Sequence, residues 1–119
     1  MSAEWIEYKG KKIFFINLKG LRAEEILKVQ EEAARVLGAS SAKALILLNS
    51  EGAIMNAMTM QRSQELGREV IEPRTEKFAT VGVTGLLQVF LQTYNRITGA
   101  GNKQRLFKTE AEAKDWLAE

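Results

Sequence analysis

The hydrophobic pattern of this chain switches repeatedly between the period of a strand and the period of a helix. Its centre is Lys43 to Thr59, KALILLNSEGAIMNAMT: an apolar run, a small polar loop and the start of an amphipathic segment. Ala44 to Leu48 has no polar face, so Lys43–Asn49 is predicted as a central strand covered on both sides. In open α/β sheets, sites form where such strands hand over to loops and helices. Function is therefore expected near Asn49 to Thr59.

Ahead of this stretch, Trp5–Tyr8 alternates with glutamates as a short edge strand does, and Lys12–Asn17 (KIFFIN) is a second strand. The Gly10 link predicts a hairpin with a bulge or a longer loop. Ala23–Leu37 carries Ile26, Val29, Ala33, Val36 and Leu37 at the three-and-four spacing of a helix face, with Gly38 placed to end it. Glu24 with Lys28, and Glu31 with Arg35, stand four apart in the order that favours ion pairs on a solvated face.

After it, Asn56–Ile71 predicts a second helix, with Leu66 and Val70 inward and Asn56 or Thr59 as N-cap. Glu72–Glu76 stops that helix at Pro73, and Lys77–Val83 reads as the fourth strand. Thr84-Gly85 leads into a third helix, Leu86–Thr98, which is apolar on two sides. Leu86, Phe90, Thr93 and Ile97 form one stripe, and Leu87, Leu91 and Tyr94 another. So wide an apolar surface needs two covers: the sheet, and then a neighbouring helix, an apolar ligand or a second subunit. Gln104–Lys108 is a last strand, and Thr109-Glu110-Ala111-Glu112 is a capping box opening a helix that turns Ala113, Trp116 and Leu117 inward. The order β-β-α-β-α-β-α-β-α is that of an α/β fold, a mostly parallel sheet with an antiparallel piece at its N-terminal end. No internal repeat or linker divides residues 1–119, which read as one domain.

Composition narrows the chemistry. The 119 residues contain no cysteine and no histidine, which removes thiolate and imidazole metal ligands, cysteine nucleophiles and histidine-based triads. Asp115 is the single aspartate, so a clustered-aspartate magnesium or calcium site cannot be built, and neither metal nor cofactor is expected. A net charge of +2 from 17 basic and 15 acidic residues is too balanced to argue for nucleic acid or an anionic membrane. No apolar run approaches the ~20 residues of a membrane span, and no secretory leader is evident, so a soluble cytoplasmic protein is expected.

Glycine-rich stretches offer little catalytic signal. Gly99-Ala100-Gly101-Asn102-Lys103 follows a helix and leads into a strand, the reverse of a phosphate loop, and reads as a helix stop. Gly82-Val83-Thr84-Gly85 has the right order but lacks the glycine fingerprint and the lysine, so it reads as a tight turn. Of Met55, Met58 and Met60, at least one is expected to be core filler. Trp5 and Trp116 read as packing residues at the two ends.

The order of elements, with KFATVGVTGLLQVFLQTYNRITG followed by KQRLFKTEAEAKDWL, resembles the STAS domain, the fold of bacterial anti-sigma-factor antagonists. The resemblance is closest to a STAS-like subgroup whose fold is compared with CRAL-TRIO lipid-transfer domains. In signalling members a D-S-x-G-like motif after the central strand carries a serine phosphorylated by a partner kinase. Counting forward from Leu45 sets Met55–Thr59 over that motif, with Asn56 at the aspartate and Ala57 at the serine. Alanine offers no hydroxyl, so the charge of roughly −1.5 to −2 that phosphorylation adds is unavailable there. Ser50 and Thr59 are the nearby hydroxyls.

The resemblance implies a non-enzymatic interaction or regulatory domain. Its protein partner would be held by Asn49, Ser50, Asn56, Ala57, Met58 and Thr59, with Thr84 and Gly85 beside them. The alternative is binding of a small apolar ligand such as a lipid, or homodimerisation, on Leu87, Phe90, Leu91 and Tyr94. An enzyme would have to rely on Glu51, Glu65, Glu69 or a tyrosine, none with a recognisable partner.

Overall fold

The computed structural model describes residues 3–82 and 103–119. The expected third helix, Leu86–Thr98, and the turn at 99–101 lie outside them. The described elements are β1 (Ala3–Tyr8), β2 (Lys11–Asn17), α1 (Ala23–Gly38), β3 (Ala44–Asn49), α2 (Ala57–Leu66), β4 (Thr75–Val81), β5 (Gln104–Phe107) and α3 (Glu110–Ala118). They form a mixed α/β fold. The strands lie in the order β1-β2-β3-β4-β5, with β1 antiparallel to β2 and the remaining neighbours parallel.

β3 occupies the middle, and its apolar run feeds two cores. Ala44 and Ile46 join Phe14 and Ile16 of β2 under Ile26, Ala33 and Leu37 of α1. Leu45 and Leu47 point the other way, with Ile13, Ala79 and Val81, against Ala113 and Leu117 of α3. Successive strand residues face opposite sides, so a run without polar positions is stable only if both sides are covered.

Several local expectations change. The β1–β2 link is a tight two-residue turn, because Tyr8 pairs with Lys11 and both Lys9 (φ 51°) and Gly10 (φ 79°) are left-handed. That is the dihedral pattern of a type I′ hairpin, which matches the strand twist without a bulge. α1 ends at Gly38 without a left-handed cap: Ala39 stays right-handed, at φ −86°. Of the expected ion pairs on α1, Arg35 instead meets Glu32 one turn earlier, and Glu31 faces Arg62 of α2 at 3.7 Å. Trp5 packs on Phe14 at 4.9 Å between ring centroids and stays 42% exposed.

The second helix changes character before it stops. Asn56 is its N-cap, its side chain accepting from the Thr59 amide at 2.8 Å. Regular α geometry ends at Leu66, and Gly67–Ile71 widens into a π turn followed by a 3₁₀ turn, Glu72–Arg74. Pro73 lacks an amide and so cannot continue the helical ladder. Ile71 rather than Val70 is the buried residue there. β4 then begins at Thr75, two residues earlier than expected, its hydroxyl donating to the Ile71 carbonyl at 2.6 Å.

Thr109 is the N-cap of α3 as expected, with the Glu112 amide donating to Thr109 Oγ1 at 3.2 Å, but the Glu112 carboxylate accepts from the Thr109 hydroxyl, at 3.2 Å, rather than from its backbone amide, so the box is only half formed. Asp115 on α3 holds the hairpin: it accepts from the Tyr8 hydroxyl at 2.5 Å and from Lys9 Nζ at 2.9 Å. The Tyr8 hydrogen bond, then that from Lys9, holds the Asp115 carboxyl below its ordinary value, and the same contacts raise Tyr8 and Lys9.

Two predictions follow from this packing. Ile46→Ala and Leu47→Ala should each cost about 2–5 kcal/mol in urea unfolding, whereas Leu106→Ala on the exposed edge strand should cost under about 0.5 kcal/mol. Asp115 binds its proton less readily in the folded chain, so its contribution is complete above the ordinary value of 3.8 and is lost as pH falls through the depressed one. Asp115→Asn should therefore melt slightly below wild type at neutral pH, and the gap should close in acid. A gap unchanged by acid would mean that the carboxylate charge does not hold the hairpin.

Candidate functional site

Three parallel strands stop level with one another, because Asn17 pairs with Asn49 and Asn49 with Val81. The ladder runs one residue further on each side. The Leu18 amide donates to the Asn49 carbonyl at 2.7 Å, and the Ser50 amide to the Val81 carbonyl at 2.9 Å.

Both β2 and β3 then turn in the same way. Asn17 Oδ1 accepts from the Lys19 amide at 3.1 Å, and Asn49 Oδ1 accepts from the Glu51 amide at 3.0 Å. Each turn closes with a three-residue backbone bond, Leu21 amide to Leu18 carbonyl and Ala53 amide to Ser50 carbonyl, both 3.0 Å. Gly20 and Gly52 both sit at φ +71°, the left-handed third position that a type II turn reserves for glycine. Cross-bonds lock the two turns together, from the Gly20 amide to the Glu51 carbonyl and from the Ile54 amide to the Leu21 carbonyl, each 2.9 Å.

The signal for this arrangement is an Asn-x-x-Gly echo, Asn17-Leu18-Lys19-Gly20 against Asn49-Ser50-Glu51-Gly52. It is too short to register as an internal repeat. Its meaning comes from position, since each copy closes a strand.

The third wall is Gly82, at φ +82°. A Cβ there would lie 2.6 Å from the Glu51 amide nitrogen, so only a glycine lets the backbone after β4 run against the β3 loop. On the other side of the sheet, Asn49 Nδ2 donates to Glu110 Oε2 at 2.6 Å, tying the loop to the first turn of α3.

The expected site residues divide into two sets. Asn49, Ser50 and Thr59 are 4%, 3% and 3% exposed and point into the fold. The Ser50 hydroxyl donates to the Val81 carbonyl at 3.1 Å. They hold the loop's shape. Asn56, Ala57 and Met58 face outward, with Met58 74% exposed. Ile54, which the sequence pattern did not single out, is 62% exposed beside them. Met55 packs against the core and Met60 is half-buried, so the three methionines part company by orientation. Thr84 and Gly85, and the apolar candidates Leu87, Phe90, Leu91 and Tyr94, lie outside the described residues.

Of the carboxylates considered for acid-base work, Glu51 and Glu69 are exposed and Glu65 faces Arg62 at 3.6 Å. Among the described residues no three acidic side chains converge as a metal site, and no helix is long and apolar enough to cross a membrane.

Ninety-seven percent of this chain superposes on 91% of a crystal structure from Shewanella loihica PV-4, with a TM-score of 0.73 at 14% sequence identity. That structure is described as an uncharacterized protein from the DUF3478 family with a SpoIIAA-like fold. The fold is SpoIIAA-like. It is the STAS fold of anti-sigma-factor antagonists, as the order of elements suggests from the sequence. No protein-family model and no curated protein matches the chain. At 14% identity that likeness shows the fold alone.

The rigidity of the site is testable at Gly82. Gly82→Ala should destabilise the protein by about 2 kcal/mol or more, combining left-handed strain with the clash at Glu51. Gly10→Ala, also left-handed but with open space around the new methyl, should cost about half as much or less. Equal losses by thermal unfolding would show that the close approach of residues 51 and 82 is not a constraint.

Proposed function

We propose that this chain is a non-enzymatic STAS-like interaction domain that docks a protein partner through the outward surface formed by Ile54, Asn56, Ala57 and Met58. The observation that carries the reading is the exposure of Ile54 and Met58, two large apolar side chains four residues apart on either side of the Asn56 cap of α2. They stand on a loop held by paired turns, the Gly82 contact and the Asn49–Glu110 bond, so little ordering entropy is lost when a partner covers them. Burying each would contribute about 1.5–3 kcal/mol.

Residue chemistry further supports docking that does not depend on phosphorylation at the family's usual position. Ala57 is the first residue of α2, directly after the Asn56 cap, and has no hydroxyl. The nearby hydroxyls of Ser50 and Thr59 belong to buried residues. A kinase would have to open the loop to reach them. Asn49 and Thr59 act in this reading as supports of the docking surface.

The test is affinity capture from the native host followed by reconstitution with the purified partner. Wild type should bind a defined polypeptide saturably, and Ile54→Glu with Met58→Glu should weaken that binding by at least about tenfold while leaving the melting temperature unchanged. Undiminished binding by a folded double variant would put the docking face elsewhere.

A further inference from the structure

All the sulfur in this chain is methionine: four residues, with no cysteine beside them. A thiolate is the side chain that a peroxide ordinarily takes first, so here oxidation falls to the thioethers. Met1 lies outside the described residues, and the other three stand close together, at positions 55, 58 and 60.

Burial separates these three. Met55 packs against the core beneath α1, and Met60, in α2, is half-buried. Met58 is 74% exposed and packs in neither core. It is the second residue of α2, after the Asn56 cap and Ala57, and Asn56 Oδ1 fixes that turn by accepting from the Thr59 amide at 2.8 Å. Its side chain therefore meets solvent without any opening of the fold.

The consequences of oxidation differ accordingly. A sulfoxide on Met55 would set a polar group against the core, which is destabilising wherever that group finds no hydrogen-bond partner. On Met58 the same group is hydrated and the fold keeps its packing. What changes there is the outward surface, because Ile54 and Met58 are its two large apolar side chains.

We propose that Met58 is a reversible oxidation site and that its sulfoxide closes the docking surface, a regulation that rests on the docking reading above. The sulfur lone pair attacks one oxygen of hydrogen peroxide, the O–O bond breaks, and the other oxygen leaves as water once it has taken the remaining proton. Sulfur loses two electrons and the peroxide gains them. Reduction runs through a dithiol, which releases the oxygen as water and becomes a disulfide. With no cysteine of its own, the chain depends on a separate thiol protein for that step. A partner covering the sulfoxide must strip water from its S–O dipole, and a polar group left unpaired in an interface lowers affinity.

Hydrogen peroxide is added to the full chain and the incorporated oxygen is mapped by tandem mass spectrometry. Met58 should oxidise at least about fivefold faster than Met55 or Met60, with the melting temperature unchanged at the first added oxygen. The singly oxidised chain should bind the polypeptide purified in the docking test at least about fivefold more weakly, and methionine sulfoxide reductase with a dithiol should restore that binding. Met58→Leu should hold whatever affinity it starts with through the same treatment, whereas Met60→Leu should lose affinity as wild type does. Oxidation of Met55 or Met60 as fast as Met58 overturns the proposal, and so does a peroxide-induced loss in Met58→Leu equal to that of wild type. Full binding by the oxidised chain overturns the regulation alone if Ile54→Glu with Met58→Glu still binds weakly; full binding by both removes the docking reading as well.

Discussion

The structure depends on the need of β3 to be covered on both faces. Leu45 and Leu47 cannot be buried by the same layer as Ala44 and Ile46, because adjacent strand residues point to opposite sides. α1 supplies one cover and α3 the other, so elements more than seventy residues apart in sequence are joined through one six-residue strand. Parallel neighbours on both sides complete its backbone bonds and place the ends of β2, β3 and β4 level with one another. The candidate site is a consequence of that level ending.

What happens at the ends is decided by small side chains. Asparagine at the last position of β2 and β3 bends the chain by accepting a backbone amide two residues on, and glycine three residues after it completes the turn. Gly82 then lets a third loop close on the second without a side chain between them. The result is a platform whose polar groups are consumed internally. Apolar residues, Ile54 and Met58, are left to face outward around the start of α2.

Elements with one strong period were legible in the sequence. The two-sided run at Ala44–Leu48, the helix face of Ile26, Ala33 and Leu37, and the Thr109 N-cap all fall where the pattern puts them. Features set by backbone geometry were not. Lys9 at a left-handed position gave no sign of a two-residue turn, and Pro73 marked a stop without revealing the π and 3₁₀ turns around it. Orientation within the Asn49–Thr59 stretch was not legible: periodicity could not say that Ser50 and Thr59 point inward while Ile54 and Met58 point out.

The most direct measurement of the central claim is site-specific photo-crosslinking in the native host, with a photoreactive residue at position 58 and, separately, at position 106 on the exposed β5 edge. Both positions are solvent-accessible in the free protein. A discrete protein adduct from position 58, absent from position 106, is the predicted result. Adducts that form equally from both positions, or only from position 106, would contradict a docking surface at the end of β3.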